Sequence, residues 1–215
     1  MRMILKLTVL VMFSGLFLMQ TTAMAQKDKS TGSGKGSGNS YDLKIEFPEI
    51  DGWDKSEIRK YPMAELGYSV AYQSDEGGTV TIYVYNAGLS KISNDLNDKV
   101  IKDEIDRAKN EIIQVGKQGI YKNVKELKND TVTLGGSSGK TKALRSLFSF
   151  SIRGEEVDSE IYLFSYENHF IKIRATRPKA EDNAENKVFT KFLGEIDKLF
   201  SGNSYDKKSV VAQIF

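Results

Sequence analysis

Cysteine is absent from the 215 residues, histidine occurs once at His169, tryptophan once at Trp53, and proline three times. Without sulfur there is no disulfide, no thiolate nucleophile, no iron–sulfur cluster, no cysteine zinc site and no attachment point for a bacterial lipoprotein anchor. A single imidazole removes most of the remaining metal and general-base chemistry. Long apolar runs are missing as well. The longest, Leu7 to Met19, has about 13 residues, against the roughly 20 needed to cross a bilayer. Neither sign of charge dominates, with 31 Lys+Arg against 29 Asp+Glu. With 40% hydrophobic residues, 18 Gly and only 3 Pro, the chain is neither collagen-like nor wholly disordered.

What is there begins with a targeting pattern. Arg2 and Lys6 precede the apolar run, and Ala23-Met24-Ala25 closes it; a basic start, a short apolar centre and an A-x-A end are the parts of a secretory signal peptide. We therefore expect residues 1–25 to be removed, an exported (periplasmic or extracellular) protein starting at Gln26, and no stable membrane span after cleavage. Removing Arg2 and Lys6 leaves 29 basic against 29 acidic residues. A neutral chain has no global field to attract nucleic acid or an anionic membrane.

Residues 26–40 (QKDKSTGSGKGSGNS) hold no apolar side chain larger than a methyl group, which marks a flexible Gly/Ser/Lys linker. Residues 41–200 are long enough for one sizeable core, and 201–215 form a C-terminal tail ending in Val210-Val211-Ala212-Gln213-Ile214-Phe215. SGNSYD occurs at 37–42 and again at 201–206, bracketing the domain.

Within the domain, Tyr41 to Phe47 alternates as a half-buried strand does, and Pro48 stops it. Gly67–Ser74 and Thr79–Tyr85 read as a hairpin around Glu76-Gly77-Gly78. Leu96, Val100, Ile101, Ile105, Ala108, Ile112 and Val115 recur with the spacing of an amphipathic helix, ending near Gly116 or Gly119. A strand through Val132 and Leu134 follows, then a turn at Gly135–Gly139, and strands near 142–153, 157–166 and 168–177. A final helix places Ala184, Val188, Phe189, Phe192, Leu193, Ile196, Leu199 and Phe200 on one face, with Asp182 as cap and Gly202 past its end. Antiparallel strands with two main helices predict an α+β fold, a twisted sheet with a helix on one or both faces.

The anchors Phe47-Pro48 and Trp53, the hairpin carrying Tyr68-Ser69-Val70-Ala71-Tyr72 and Val80-Thr81-Ile82-Tyr83-Val84-Tyr85, the strand Asn168 to Thr176 and the closing Leu199-Phe200 together resemble PsbP-like domains over most of 41–200. The resemblance implies an α-β-α sandwich exported to a bacterial envelope compartment, in a family that mostly binds or assembles rather than catalyses. Photosynthetic members assist the oxygen-evolving complex, and a distant branch of the fold binds a small GTPase. No metal-ligand set comes across with it.

Several residue groups invite chemistry. Leu134-Gly135-Gly136-Ser137-Ser138-Gly139-Lys140-Thr141 nearly reads as a phosphate-binding loop. It has Leu134 where a glycine is needed, and a strand follows where a helix N-terminus must stand; a hairpin turn fits better. His169 shares strand parity with Ile171 and Ile173 and reads as structural. Glu155, Glu156 and Asp158, and Glu181, Asp182 and Glu185, are acidic clusters without EF-hand spacing, favouring solvated surface. Lys91, Lys99 and Lys102, like Lys122, Lys125 and Lys128, are interleaved with acids and read as mixed surface. Asn129-Asp130-Thr131 fits a glycosylation sequon. Trp53 reads as a core plug. Tyr83 and Tyr85, with Tyr162, Phe164 and Tyr166, form aromatic stripes that either line a binding groove or lie beneath the helices as core. The sequence points to no catalytic residue, no metal set and no cofactor. It leads us to expect a non-enzymatic, exported domain binding an envelope protein or a small ligand, the alternative being a carboxylate-dependent hydrolase or calcium-binding envelope protein.

Overall fold

Among the described residues the chain forms eight strands and two helices. The computed structural model describes residues 40–179 and 187–201. The signal segment, nearly all of the linker, Glu181, Asp182, Ala184, Glu185, Gly202 and the rest of the tail lie outside the described residues. In chain order the elements are β1 (Trp53–Lys55), β2 (Arg59–Lys60), β3 (Tyr68–Ser74), β4 (Thr79–Tyr85), α1 (Lys99–Lys117), β5 (Lys122–Thr133), β6 (Lys142–Ile152), β7 (Glu155–Tyr166), β8 (His169–Pro178) and α2 (Lys187–Ser201). The sheet runs β1-β3-β4-β8-β7-β6-β5, with β2 also on β3, and every pairing is antiparallel. The fold is α+β.

Each helix covers one face. Ile101, Ile105, Ala108, Ile112 and Val115 of α1 bury against Phe148, Phe150, Ile161, Leu163 and Phe170. Phe189, Phe192, Leu193, Ile196 and Phe200 of α2 bury against Tyr72, Val80, Ile82, Tyr162, Phe164 and Ile173. Burying each such side chain contributes about 1.5–3 kcal/mol, so the two layers hold the sheet from both sides. Trp53 opens β1 and packs on Phe192, ring centroids 4.7 Å apart. The Asp98 carboxylate caps α1 by accepting from Val100 N at 2.8 Å. Leu96 therefore precedes the helix rather than joining its stripe, although it still packs on the core.

Two expectations are corrected. Tyr41 to Phe47 is not a strand: Leu43 and Phe47 are buried in alternation, but among the described residues no strand pairs with the segment. Side chains satisfy its carbonyls instead, with Tyr68 Oη donating to Leu43 O at 2.7 Å and Lys55 Nζ to Phe47 O at 2.9 Å; Tyr72 Oη donates to Pro48 O at 2.9 Å. Alternating burial without a ladder partner looks the same in sequence as a strand. Conversely, β5 begins at Lys122, well before Val132. Two bulges, between Lys122 and Lys125 and between Glu126 and Lys128, destroy the period-two signal over its first half.

Candidate functional site

Lys172 lies on β8 between Ile171 and Ile173, and its parity turns it toward α1, where it is only 3% exposed. A buried ammonium needs partners. Lys172 Nζ sits 3.6 Å from Glu111 Oε2 and over the rings of Tyr83 and Tyr85 at 5.0 and 5.5 Å, a cation–π arrangement. Arg107 continues the chain, donating to Glu111 at 2.5 Å and to Glu104 at 2.8 Å. Tyr85 Oη donates to the same Glu104 carboxylate. Burial holds the Lys172 ammonium below its ordinary pKa. Burial, and then the Glu104 charge, push the Tyr85 phenol up, while burial raises Tyr83 to about 12. Each of these charges therefore has a partner within the fold.

The opposite face carries a second array. Asp130 on β5, Arg145 on β6, Glu160 on β7 and Arg177 on β8 alternate in sign across four adjacent strands. Arg145 binds Asp130 through two bonds of 2.8 Å and approaches Glu160 at 3.7 Å. Glu160 also accepts from Arg177 and Tyr162 Oη. The Arg177 guanidinium stacks 4.0 Å from the centroid of Phe189 on α2. Hydrogen bonding from Arg145 holds the Asp130 carboxyl below its usual pKa, and burial raises the Tyr162 phenol. This ladder ties the edge strand to the centre of the sheet.

The aromatic stripes divide between the faces. Tyr83 and Tyr85 pack under α1, whereas Tyr162, Phe164 and Tyr166 pack under α2. Tyr85, Tyr162 and Phe164 are buried and Tyr83 and Tyr166 half-buried, so the five residues do not form one surface. The glycine-rich turn does hold an anion, but one supplied by the chain itself. Lys140 N donates to both Asp197 oxygens at 3.0 and 3.1 Å, and Thr141 N donates to one at 2.7 Å. Gly135 makes this docking possible, since a Cβ there would lie 2.9 Å from Gly194 Cα of α2. His169 Nδ1 donates to Glu167 O at 2.8 Å and its ring is buried. Strand alternation along β7 sends Glu155 to one face and Glu156 and Asp158 to the other, splitting that acidic cluster. Among the described residues no three His, Asp or Glu side chains gather around a common point for an ion. Asn129 is exposed on β5, its amide donating to Glu126 at 2.5 Å.

The open surfaces lie elsewhere. A groove of about 450 Å³ separates the C-terminal half of α1 from β5, lined by Ile113, Gly116, Tyr121, Val124, Glu126 and Phe148 among others. Gly116 brings helix and strand together at its floor, since a Cβ there would meet Val124 Cγ2 at 2.7 Å. Beside it, Leu127 is 53% and Ile120 51% exposed. β5 ends the strand order, and among the described residues nothing pairs with its outer side. A second concavity of about 590 Å³ lies between α2 and the glycine-rich turn, lined mainly by polar side chains including Lys187, Lys191, Glu195 and Lys198.

Sequence reasoning missed Lys172, Glu104, Arg107, Arg145 and Glu160 as members of networks. A signal existed for one of them: Glu104 stands at i+3 from Ile101 and i−4 from Ala108, inside the buried stripe of α1. Among the described residues no helix is long and apolar enough to cross a membrane. Compared with protein-family models and with curated proteins, the chain matches none.

Proposed function

We propose that this chain is an exported, non-enzymatic binding domain of the PsbP-like kind, holding a partner protein in the cell envelope through the α1/β5 groove and the adjoining open sheet edge. One observation carries the reading. Glu104, Glu160 and Lys172, buried on the two sheet faces, each pair with another ionisable side chain, while apolar Leu127 and Ile120 stand out in solvent beside a groove with an apolar floor. A reagent-bearing site instead turns buried ionisable groups into a cleft, whereas the lysines lining the concavity beside α2 are exposed. Exposed apolar side chains next to an unpaired edge mark a place for another molecule.

Export and the PsbP-like kinship belong to the same proposal. The first is supported by the pattern of residues 1–25, the second by the quoted anchors and by helices on both faces of an antiparallel sheet. The test is affinity capture from the envelope fraction of the native host, using the mature chain and its Leu127→Asp and Ile120→Asp variants as bait. The proposal expects a partner retained by the parent chain and lost from both variants while their thermal unfolding is unchanged. Equal recovery by all three baits, or turnover of a glycan or ester by the purified chain, overturns it.

A further inference from the structure

The two bulges in β5 do more than bend an edge. Without them, lysines three residues apart would alternate between the faces of the sheet. The register instead pairs Lys122 with Ser151, Lys125 with Ser149 and Lys128 with Leu147. These partners are spaced by two along β6, so all three lysines project from one face. They form a row along the free edge with steps of roughly 6.8 Å. Lys128 is shared with Asp130 at 3.0 Å; Lys122 and Lys125 are exposed and have no ion-pair partner among the described residues. The one acid in this stretch, Glu126, is on the other face and engaged by Lys109 at 2.8 Å.

The row also discriminates between occupants. A second copy pairing antiparallel about Lys125 would set Lys125 against Lys125 and Lys122 against Lys128, like charges directly opposite. Edge lysines and bulges commonly guard a sheet against its own kind in this way. An extended segment with acids at alternate positions has the same repeat as the row, and each acid would fall opposite a lysine.

We infer that the free edge of β5 takes up an extended partner segment carrying acidic residues at every second position, added as a further antiparallel strand with its acids over Lys122, Lys125 and Lys128. The inference rests on the binding reading above and names the chemistry of the partner. Main-chain pairing supplies the attachment and the lysine row supplies the register.

The test uses two fluorescein-labelled eight-residue peptides of equal composition, one alternating glutamate with threonine and one with the glutamates in a single block. Anisotropy is read against the full chain at about 0.1 M salt, where exposed charges still interact within roughly 10 Å. The alternating peptide should bind at least fivefold tighter than the block peptide. The triple variant K122E/K125E/K128E, with its fold checked by circular dichroism, should lose about tenfold in affinity for the alternating peptide. It should gain affinity for an alternating lysine–threonine peptide. Equal binding of the two acidic peptides would reduce the row to diffuse electrostatic attraction and overturn the inference, as would unchanged binding by the triple variant or no binding at all. Envelope capture that still depends on Leu127 in any of those cases would leave the binding reading standing and remove only the acidic strand.

Discussion

Replacing Asp197 with alanine tests most sharply how α2 is held, and what the glycine-rich turn is for. The carboxylate is 5% exposed and accepts three contacts from two backbone N–H groups, those of Lys140 and Thr141. Without it two partly buried donors lose their acceptor, at about 1–3 kcal/mol each. A small gain opposes this, because an acid in the C-terminal half of a helix faces the negative end of its dipole, worth about 0.3–1 kcal/mol. The net expectation for Asp197→Ala is a loss of about 1–6 kcal/mol, a large fraction of the 5–15 kcal/mol typical of a domain. Asp197→Asn retains one acceptor oxygen and should lose about half as much. Urea unfolding at pH 7 measures both, with the slope unchanged if only the folded state is affected. Because these amides already hold a carboxylate, magnesium ATP should leave the melting temperature of the parent chain unaltered. A loss below about 0.5 kcal/mol for Asp197→Ala, or a clear shift with ATP, would refute the clamp.

Four further outcomes follow, three from the geometry and one from the pattern of residues 1–25. Glu104→Gln should cost about 1–3 kcal/mol by weakening the charged hydrogen bonds from Arg107 and Tyr85 while Arg107 keeps Glu111, whereas Lys172→Met, which removes a desolvated ammonium while Glu111 keeps Arg107, should cost less; denaturant titration of the two variants separates a network from a packed core. Alkaline unfolding should be steep: burial raises Tyr68 and Tyr83 to about 12, so the stability each gives is complete below pH 10, the unfolded value, and is lost as pH climbs toward 12. For Tyr68 this is about 3 kcal/mol, and phenolate absorbance should rise together with unfolding rather than before it. Gly67→Ala should lose about 3 kcal/mol or more or fail to fold, since φ is +61° and the new Cβ would lie 1.9 Å from Val84 O. Intact mass of the exported protein should correspond to a chain starting at Gln26, and a mass retaining Met1 would contradict export with cleavage.

Much of the fold was legible because burial imposes period on sequence. The β3–β4 hairpin, β6, β7, β8 and both helices carry their apolar faces at regular spacing, and Asn168 with φ +64° makes the tight β7–β8 turn. The segment around Leu43 was misread because tyrosine hydroxyls from β3 do the work of a neighbouring strand, and a distant hydroxyl leaves no local trace. The start of β5 was missed for a different reason. A bulge shifts parity by one residue, so Lys122, Lys125 and Lys128 look like scattered surface charge until the register with β6 is known. Tyr83 and Tyr162 were recognisable as candidates, but which helix covers which stripe depends on the strand order β4-β8-β7, and that order is not local information. Lys172 shows the same limit: between Ile171 and Ile173 it resembles the solvent side of an edge strand, whereas β8 is central and buried on both faces.

Site-directed photo-crosslinking in the native host measures the central claim most directly. A photoreactive residue is placed in turn at Leu127, Asn123 and Lys122 along β5, and at Thr190, Glu195 and Lys198 on α2. The account predicts that the β5 positions yield the same crosslinked species and the α2 positions do not. Crosslinks confined to the α2 positions, or none from β5 while the chain is exported and folded, would contradict it.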